Sequence, residues 1–144
     1  MNNKTNWLAI VASVFVSMVI GFLWYGALFQ QQWMAGNGIT VSEDETAMFK
    51  DGVALDMSMT PMIVNIFFMV VYAFIMNWLI NKTNSYGWQS GMMVGLAVGV
   101  THTLNVIVGN LFASNPSSLS LVDGSYSLVL FTVMGTIIGA MQKR

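Results

Sequence analysis

Apolar residues fall along this chain in four solid runs, separated by two short polar breaks and one long one. Trp7–Phe29 holds 23 residues without a charge. Pro61–Ile80 holds 20, interrupted only by Asn65 and Asn77. Trp88–Phe112 holds 25, with one His and a few amides and hydroxyls, and Gly124–Met141 adds 18 more that are uncharged. A helix of about 20 apolar residues crosses a hydrocarbon core of roughly 30 Å. Lipid-facing strands would alternate over about ten residues, and no run does so. The pattern predicts an all-α fold, an integral membrane four-helix bundle, as a single membrane domain over residues 1–144. The first run is longer than the roughly 7–15-residue apolar core of a signal peptide, and no small-residue cleavage site follows it, so it reads as a retained span.

The polar breaks orient the spans. Four crossings put both termini on one side, with Lys4, Lys82, Lys143 and Arg144 and no acid. The opposite side carries Lys50 and all six acids, Glu43, Asp44, Glu45, Asp51, Asp56 and Asp123. The positive-inside rule therefore places both termini in the cytoplasm, and the expected location is the bacterial cytoplasmic (inner) membrane. Amphipathic rings favour the headgroup levels. Trp7, Trp78 and Trp88 fall at the inner boundary and Trp24, Tyr25 and Trp33 near the outer one, so these six are candidate interface anchors.

The break at 30–60 is the only long one, and it forms an acidic outer loop. Ser42-Glu43-Asp44-Glu45 has the form of a capping box, in which Ser42 accepts from the Glu45 amide and Glu45 reaches back. This predicts a short surface helix over about 43–55. Pro61 suits the first turn of the second span, where its missing N–H costs nothing, and Asp123 is a candidate N-cap for the fourth span.

Composition agrees with the pattern. The chain is 56% hydrophobic and 8% charged, against roughly 25% charged in soluble domains, and its mean hydropathy is +0.66. So short a soluble protein could not bury that much apolar surface. The absence of cysteine excludes disulfides, thiolate nucleophiles and cysteine metal sites. A net charge of −1 excludes a broad nucleic-acid-binding surface.

In lipid, helices associate through close approach at small residues and through interhelical hydrogen bonds. Ser13, Ser17 and Gly21 in the first span, Gly91, Gly95 and Gly99 in the third, and Gly135 and Gly139 in the fourth form small-residue ridges spaced by four. They read as bundle-packing faces, with homo-oligomerisation as the competing use.

His102 is the one ionisable side chain inside a predicted span, a position that marks a functional candidate by default. It shares a helical face with Gly95, Gly99, Asn105 and Gly109. A ligand or ion path would run past His102, Asn105, Asn65 and Thr101. Equally, these groups serve as hydrogen-bonding glue between helices. No second His, no carboxylate within the spans and no nucleophile–base pair is visible. The expectation is accordingly no catalytic residue, no metal and no cofactor. The leading expectation is a non-enzymatic packing, accessory or interaction component of the lipid bilayer that self-associates. The alternative is the protomer of an oligomeric transporter or channel.

Three stretches carry a resemblance: Asn6-Trp7-Leu8-Ala9; Gly21-Phe22-Leu23-Trp24-Tyr25-Gly26, with Leu28-Phe29 and Trp33-Met34 after it; and Asp123 to Gly139, "DGSYSLVLFTVMGTIIG". Through them nearly the whole chain resembles the uncharacterised bacterial membrane family called domain of unknown function 1761. Ala27 stands where that family typically has Pro, and Gln30 and Gln31 replace a usual Gly-Lys. The resemblance implies a four-helix membrane protein and supplies no activity.

Overall fold

The structure is a computed structural model that describes residues 5–44, 46–56 and 58–142. Lys4, Lys143, Arg144 and the Glu45 of the expected capping box lie outside the described residues. In chain order the elements are α1 (Trp7–Leu23), a π-helical segment (Trp24–Leu28), α2 (Gln30–Gly36), β1 (Ile39–Val41), β2 (Met48–Lys50), β3 (Val53–Ala54), α3 (Thr60–Lys82), α4 (Trp88–Phe112) and α5 (Ser117–Met141). Four helices are long and apolar enough to cross a membrane: α1 with its π-helical continuation, α3, α4 and α5.

At one end of the bundle the start of α1 and the end of α5 meet. Asn6 caps α1 by accepting from the Ala9 amide, at 3.2 Å, and its own amide donates to the Met141 carbonyl, at 2.7 Å. The Gly87 amide donates to the Gly139 carbonyl, at 2.8 Å, which ties the start of α4 to the end of α5. The Gln142 amide donates to Asn77 Oδ1, which ties the chain end to α3. A dry core of Ala9, Ile10, Ala73, Met76, Ile80, Phe131, Met134 and Ile138 fills the adjacent half of the bundle.

α4 and α5 approach backbone to backbone. A Cβ added at Gly91 would lie 2.8 Å from Gly139 Cα, and one at Gly95 3.0 Å from Thr132 Cα. One at Gly99 would lie 3.1 Å from Leu128 Cα, one at Gly135 2.8 Å from Gly95 Cα and one at Gly139 2.7 Å from Gly91 Cα. Each distance is shorter than ordinary carbon–carbon contact, and the neighbour is backbone, which cannot swing aside. The glycine ridges of the third and fourth spans therefore face each other within one chain. In α1, Ser13 and Ser17 are fully buried. The Ser13 hydroxyl donates to the Ile10 carbonyl, and Ser17 Oγ has no partner among the described residues.

Two predicted elements differ. Residues 43–55 do not form a helix; the loop is a three-stranded antiparallel sheet in the order β1-β2-β3. Ser42 caps a turn rather than a helix: its hydroxyl accepts from the Ala47 amide at 3.0 Å, and its own amide donates to the Ala47 carbonyl. Hydrogen bonds from Ser42 and Thr46 hold the exposed Asp44 carboxyl below its usual range. Asp51 and Gly52, with φ of 51° and 83°, form the two-residue link between β2 and β3. That is the pairing of left-handed positions that suits a tight hairpin. α5, meanwhile, begins at Ser117 behind Pro116, so Asp123 lies inside the helix and is not its N-cap. Pro61 does sit in the first turn of α3.

Candidate functional site

The half of the bundle away from the termini is built differently. The buried residues of α3 all belong to its second part, Met69 to Ile80, whereas residues 60–65 are exposed on every side. An open cleft of about 460 Å³ runs along α4 and α5. Tyr25, His102, Asn105, Gly109, Asn110, Asp123, Tyr126 and Ser127 line it, with Val106 between.

The π-helical segment sets one wall. A π turn inserts an extra residue into the helix and re-aims the side chains around it. Here it turns both rings of the Trp24–Tyr25 pair onto α5. Trp24 Nε1 donates to the Val122 carbonyl at 3.1 Å, and Tyr25 Oη donates to Asp123 Oδ1 at 3.0 Å. The Tyr25 and Tyr126 rings meet edge to face, with centroids 4.8 Å apart, and Trp33 packs on the other side of Tyr25 at 5.7 Å. Gly21 makes room for this arrangement: a Cβ there would lie 3.1 Å from the Tyr126 hydroxyl. Trp24 and Tyr25 thus bond to a neighbouring helix and are half-buried, while Trp7, Trp78 and Trp88 are exposed on the outside of the bundle.

His102 marks the floor, where polar cleft gives way to dry core. Its ring lies 5.2 Å from the Phe131 ring and 6.4 Å from that of Tyr72 on α3. Its Nδ1 is buried and without a hydrogen-bond partner among the described residues. Near the other end, Asn110 accepts from the Asn115 amide at 2.9 Å, while its own Nδ2 is buried and unpartnered. That amide points toward the Asp123 carboxylate without completing a bond. Buried polar groups are nearly always satisfied, so two orphans in one cleft mark places where something else can bond. No Lys or Arg lines the cleft, and among the described residues no three His, Asp or Glu side chains gather as a metal cluster.

Of the four residues proposed from sequence for a polar path, His102 and Asn105 line the cleft. Asn65 and Thr101 do not: Asn65 sits on the exposed first part of α3, and Thr101 is exposed and donates to the Ala97 carbonyl of its own helix. Asp123, Tyr25, Tyr126 and Asn110 complete the site. From sequence Asp123 reads as an N-cap outside the fourth span, whereas it lies inside α5. The Asn115-Pro116-Ser117-Ser118 stretch was the available signal that the helix starts earlier.

A family described as a protein of unknown function, DUF1761, matches residues 8–139. The chain belongs to the DUF1761 family. The match reaches into all four spans and includes the loop between the first two, so every residue of the cleft lies within the DUF1761 region. Neither a curated protein nor a solved structure matches the chain. Within this DUF1761 member, the two longer stretches that carried the resemblance are bonded to each other, by Tyr25 to Asp123 and by the seat of Tyr126 against Gly21.

Proposed function

We propose that this protein is a non-enzymatic multi-pass membrane protein that binds a small polar ligand in the cleft between the π-helical segment, α4 and α5. One observation carries the reading. A carboxylate within a helix long enough to span the membrane lines the same cleft as two buried polar atoms without a hydrogen-bond partner among the described residues, His102 Nδ1 and Asn110 Nδ2. Polar groups at such depth are costly, and they persist where they pair or where they serve a ligand.

Binding is favoured over catalysis by how the protons are already committed. The one lining hydroxyl on a serine, Ser127, donates to the Asp123 carbonyl at 2.9 Å. Among the described residues no hydroxyl is bonded to the buried His102 Nδ1, so no nucleophile–base pair is seen at that nitrogen. The cleft volume falls within the roughly 300–1,000 Å³ range of small-molecule sites. An accessory or interaction role in a larger membrane assembly is compatible with this site. Any self-association would use faces other than the glycine ridges of α4 and α5, which are spent inside the chain.

The test is a thermal-shift panel of amines, sugars, carboxylates and phosphates on the purified protein in lipid nanodiscs. The reading expects one class to raise the melting temperature saturably, and the shift to vanish in Asn110→Leu and His102→Leu. A panel in which no class distinguishes wild type from these variants overturns it.

A second reading, a protomer of an oligomeric transporter or channel in the bacterial cytoplasmic membrane, draws on the reach of the cleft from Asn110 down to His102. Two helical turns separate those residues, about 12 Å of rise. Flux in liposomes, compared among wild type, His102→Ala and His102→Gln, tests it, and identical flux at every pH removes His102 from any path. The orientation with cytoplasmic termini is tested by single cysteines at Asn84 and Asp51 in intact cells. Only the Asp51 position should react with an impermeant reagent.

A further inference from the structure

We infer that the cleft recognises an organic ammonium group, with the Asp123 carboxylate as its counter-ion and the rings of Tyr25 and Tyr126 as its walls. The inference rests on the binding function proposed above and names the ligand class.

The charge balance excludes anions first. Asp123 is an acid inside a spanning helix, with the Tyr25 hydroxyl donating to it and the Asn110 amide nearby, and no Lys or Arg is among the residues that line the cleft. An anion would meet like charge and no cationic clamp. A carboxylate without a counter-charge in a low-dielectric setting is unfavourable, and a cation entering from outside relieves that cost.

The walls then choose among cations. A hard metal ion needs several oxygen ligands converging on one point. Here one carboxylate shares the cleft with two aromatic rings, and no further acid is among the lining residues. Ammonium and alkylammonium groups, by contrast, are drawn to the faces of aromatic rings as well as to carboxylates. Tyr25 and Tyr126 meet edge to face at 4.8 Å, and both line the cleft together with Asp123. Trp24, tilted 6.3 Å from Tyr126, backs the same wall. The Asn105 side chain and the unpartnered Asn110 Nδ2 line the remainder, placed for a polar substituent beside the ammonium group, such as a hydroxyl or ester oxygen.

Two sources present this chemistry. One is a free amine entering from water, and the other is the ammonium headgroup of a lipid sliding in sideways through the open face. The recognition is the same for both, and the assay separates them.

The experiment is calorimetric titration of the full-length protein in nanodiscs with choline, tetramethylammonium and 3,3-dimethylbutanol, the uncharged isostere of choline. Sulfate serves as the anionic control. The inference expects choline and tetramethylammonium to bind at least about tenfold more tightly than the isostere. It expects Asp123→Asn, which keeps the shape and the Tyr25 hydroxyl bond, to abolish that preference. Tyr126→Leu should weaken binding by about threefold, the scale of one ring contact with a cation. Nanodiscs of phosphatidylglycerol alone are then compared with nanodiscs containing phosphatidylethanolamine. Competition by the ethanolamine lipid identifies a headgroup as the bound species, and an unchanged affinity identifies a free amine. Equal binding of choline and its neutral isostere overturns the ammonium assignment and leaves the binding cleft standing. Absence of binding by any of these probes, together with failure of the wider ligand panel, removes both.

Discussion

Replacing Gly91 by Ala puts a methyl group where α4 and α5 already touch. Its Cβ would lie 2.8 Å from Gly139 Cα and 3.1 Å from Gly139 N, and still closer to the Gly135 carbonyl oxygen. All three obstacles are backbone atoms of a helix whose opposite side faces the core. Restoring contact of 3.4 Å or more requires the helices to part by a substantial fraction of an ångström. A gap of about 0.5–1 Å forfeits roughly a quarter to a half of each dispersion contact along the seam. Overpacking of this kind costs about 1–3 kcal/mol. The gain in helix propensity from Gly to Ala, about 1 kcal/mol, offsets part of it. Gly109→Ala isolates the packing term, because it lies in the same helix and a Cβ there meets nothing within 4 Å. Both variants gain propensity and only one overpacks, so Gly91→Ala should be less stable than Gly109→Ala by about 1–3 kcal/mol. Reversible unfolding in mixed micelles with rising dodecyl sulfate, followed by far-ultraviolet circular dichroism, measures the difference. Equal stability of the two variants would show that α4 and α5 do not approach as described.

Other consequences follow from the hydrogen bonds at the two ends of the bundle. A double-mutant cycle on Tyr25→Phe and Asp123→Asn should return a coupling of about 0.5–2 kcal/mol in the same unfolding assay, the range found for hydrogen bonds between membrane helices. Additive single effects would mean that the two side chains do not meet. Asn77→Ala removes the acceptor of the Gln142 amide in a buried position. It should cost about 1–2 kcal/mol and speed carboxypeptidase trimming of the C-terminus, and an unchanged trimming rate would remove that contact from the account.

The spans were legible because lipid imposes one rule, that every backbone polar group be satisfied within the segment. A long uncharged run then has few alternatives to a helix. Trp88–Phe112 was read to the residue. The loop was harder, because two local signals competed. Ser42 followed by acids has the form of a helix start, while Asp51-Gly52 between short apolar stretches is a hairpin signal. Both devices satisfy backbone amides, and the residues flanking the Asp51-Gly52 turn include Phe49 and Val53, which suit strands better than a helix. Asp123 was misplaced for a related reason. A charge ordinarily ends a span, and nothing in the sequence revealed that Tyr25, 98 positions away, would donate to it. That Trp24 and Tyr25 form an adjacent pair of amphipathic rings was legible. The π turn that aims them at α5 was not, since one extra residue in a helical turn leaves no compositional trace.

The cysteine-free chain makes the central claim, a water-accessible polar cleft within the spans, directly measurable. Single cysteines are placed on α4 at Asn105 and Gly109, which line the cleft, and at Leu104 and Val108, which are exposed on the helix and lie outside it. Each variant is reconstituted in liposomes and treated with a charged, water-soluble thiol reagent. Rapid modification at positions 105 and 109, with positions 104 and 108 protected by lipid, is the predicted result. Protection at all four, or equal reaction at all four, would contradict the cleft.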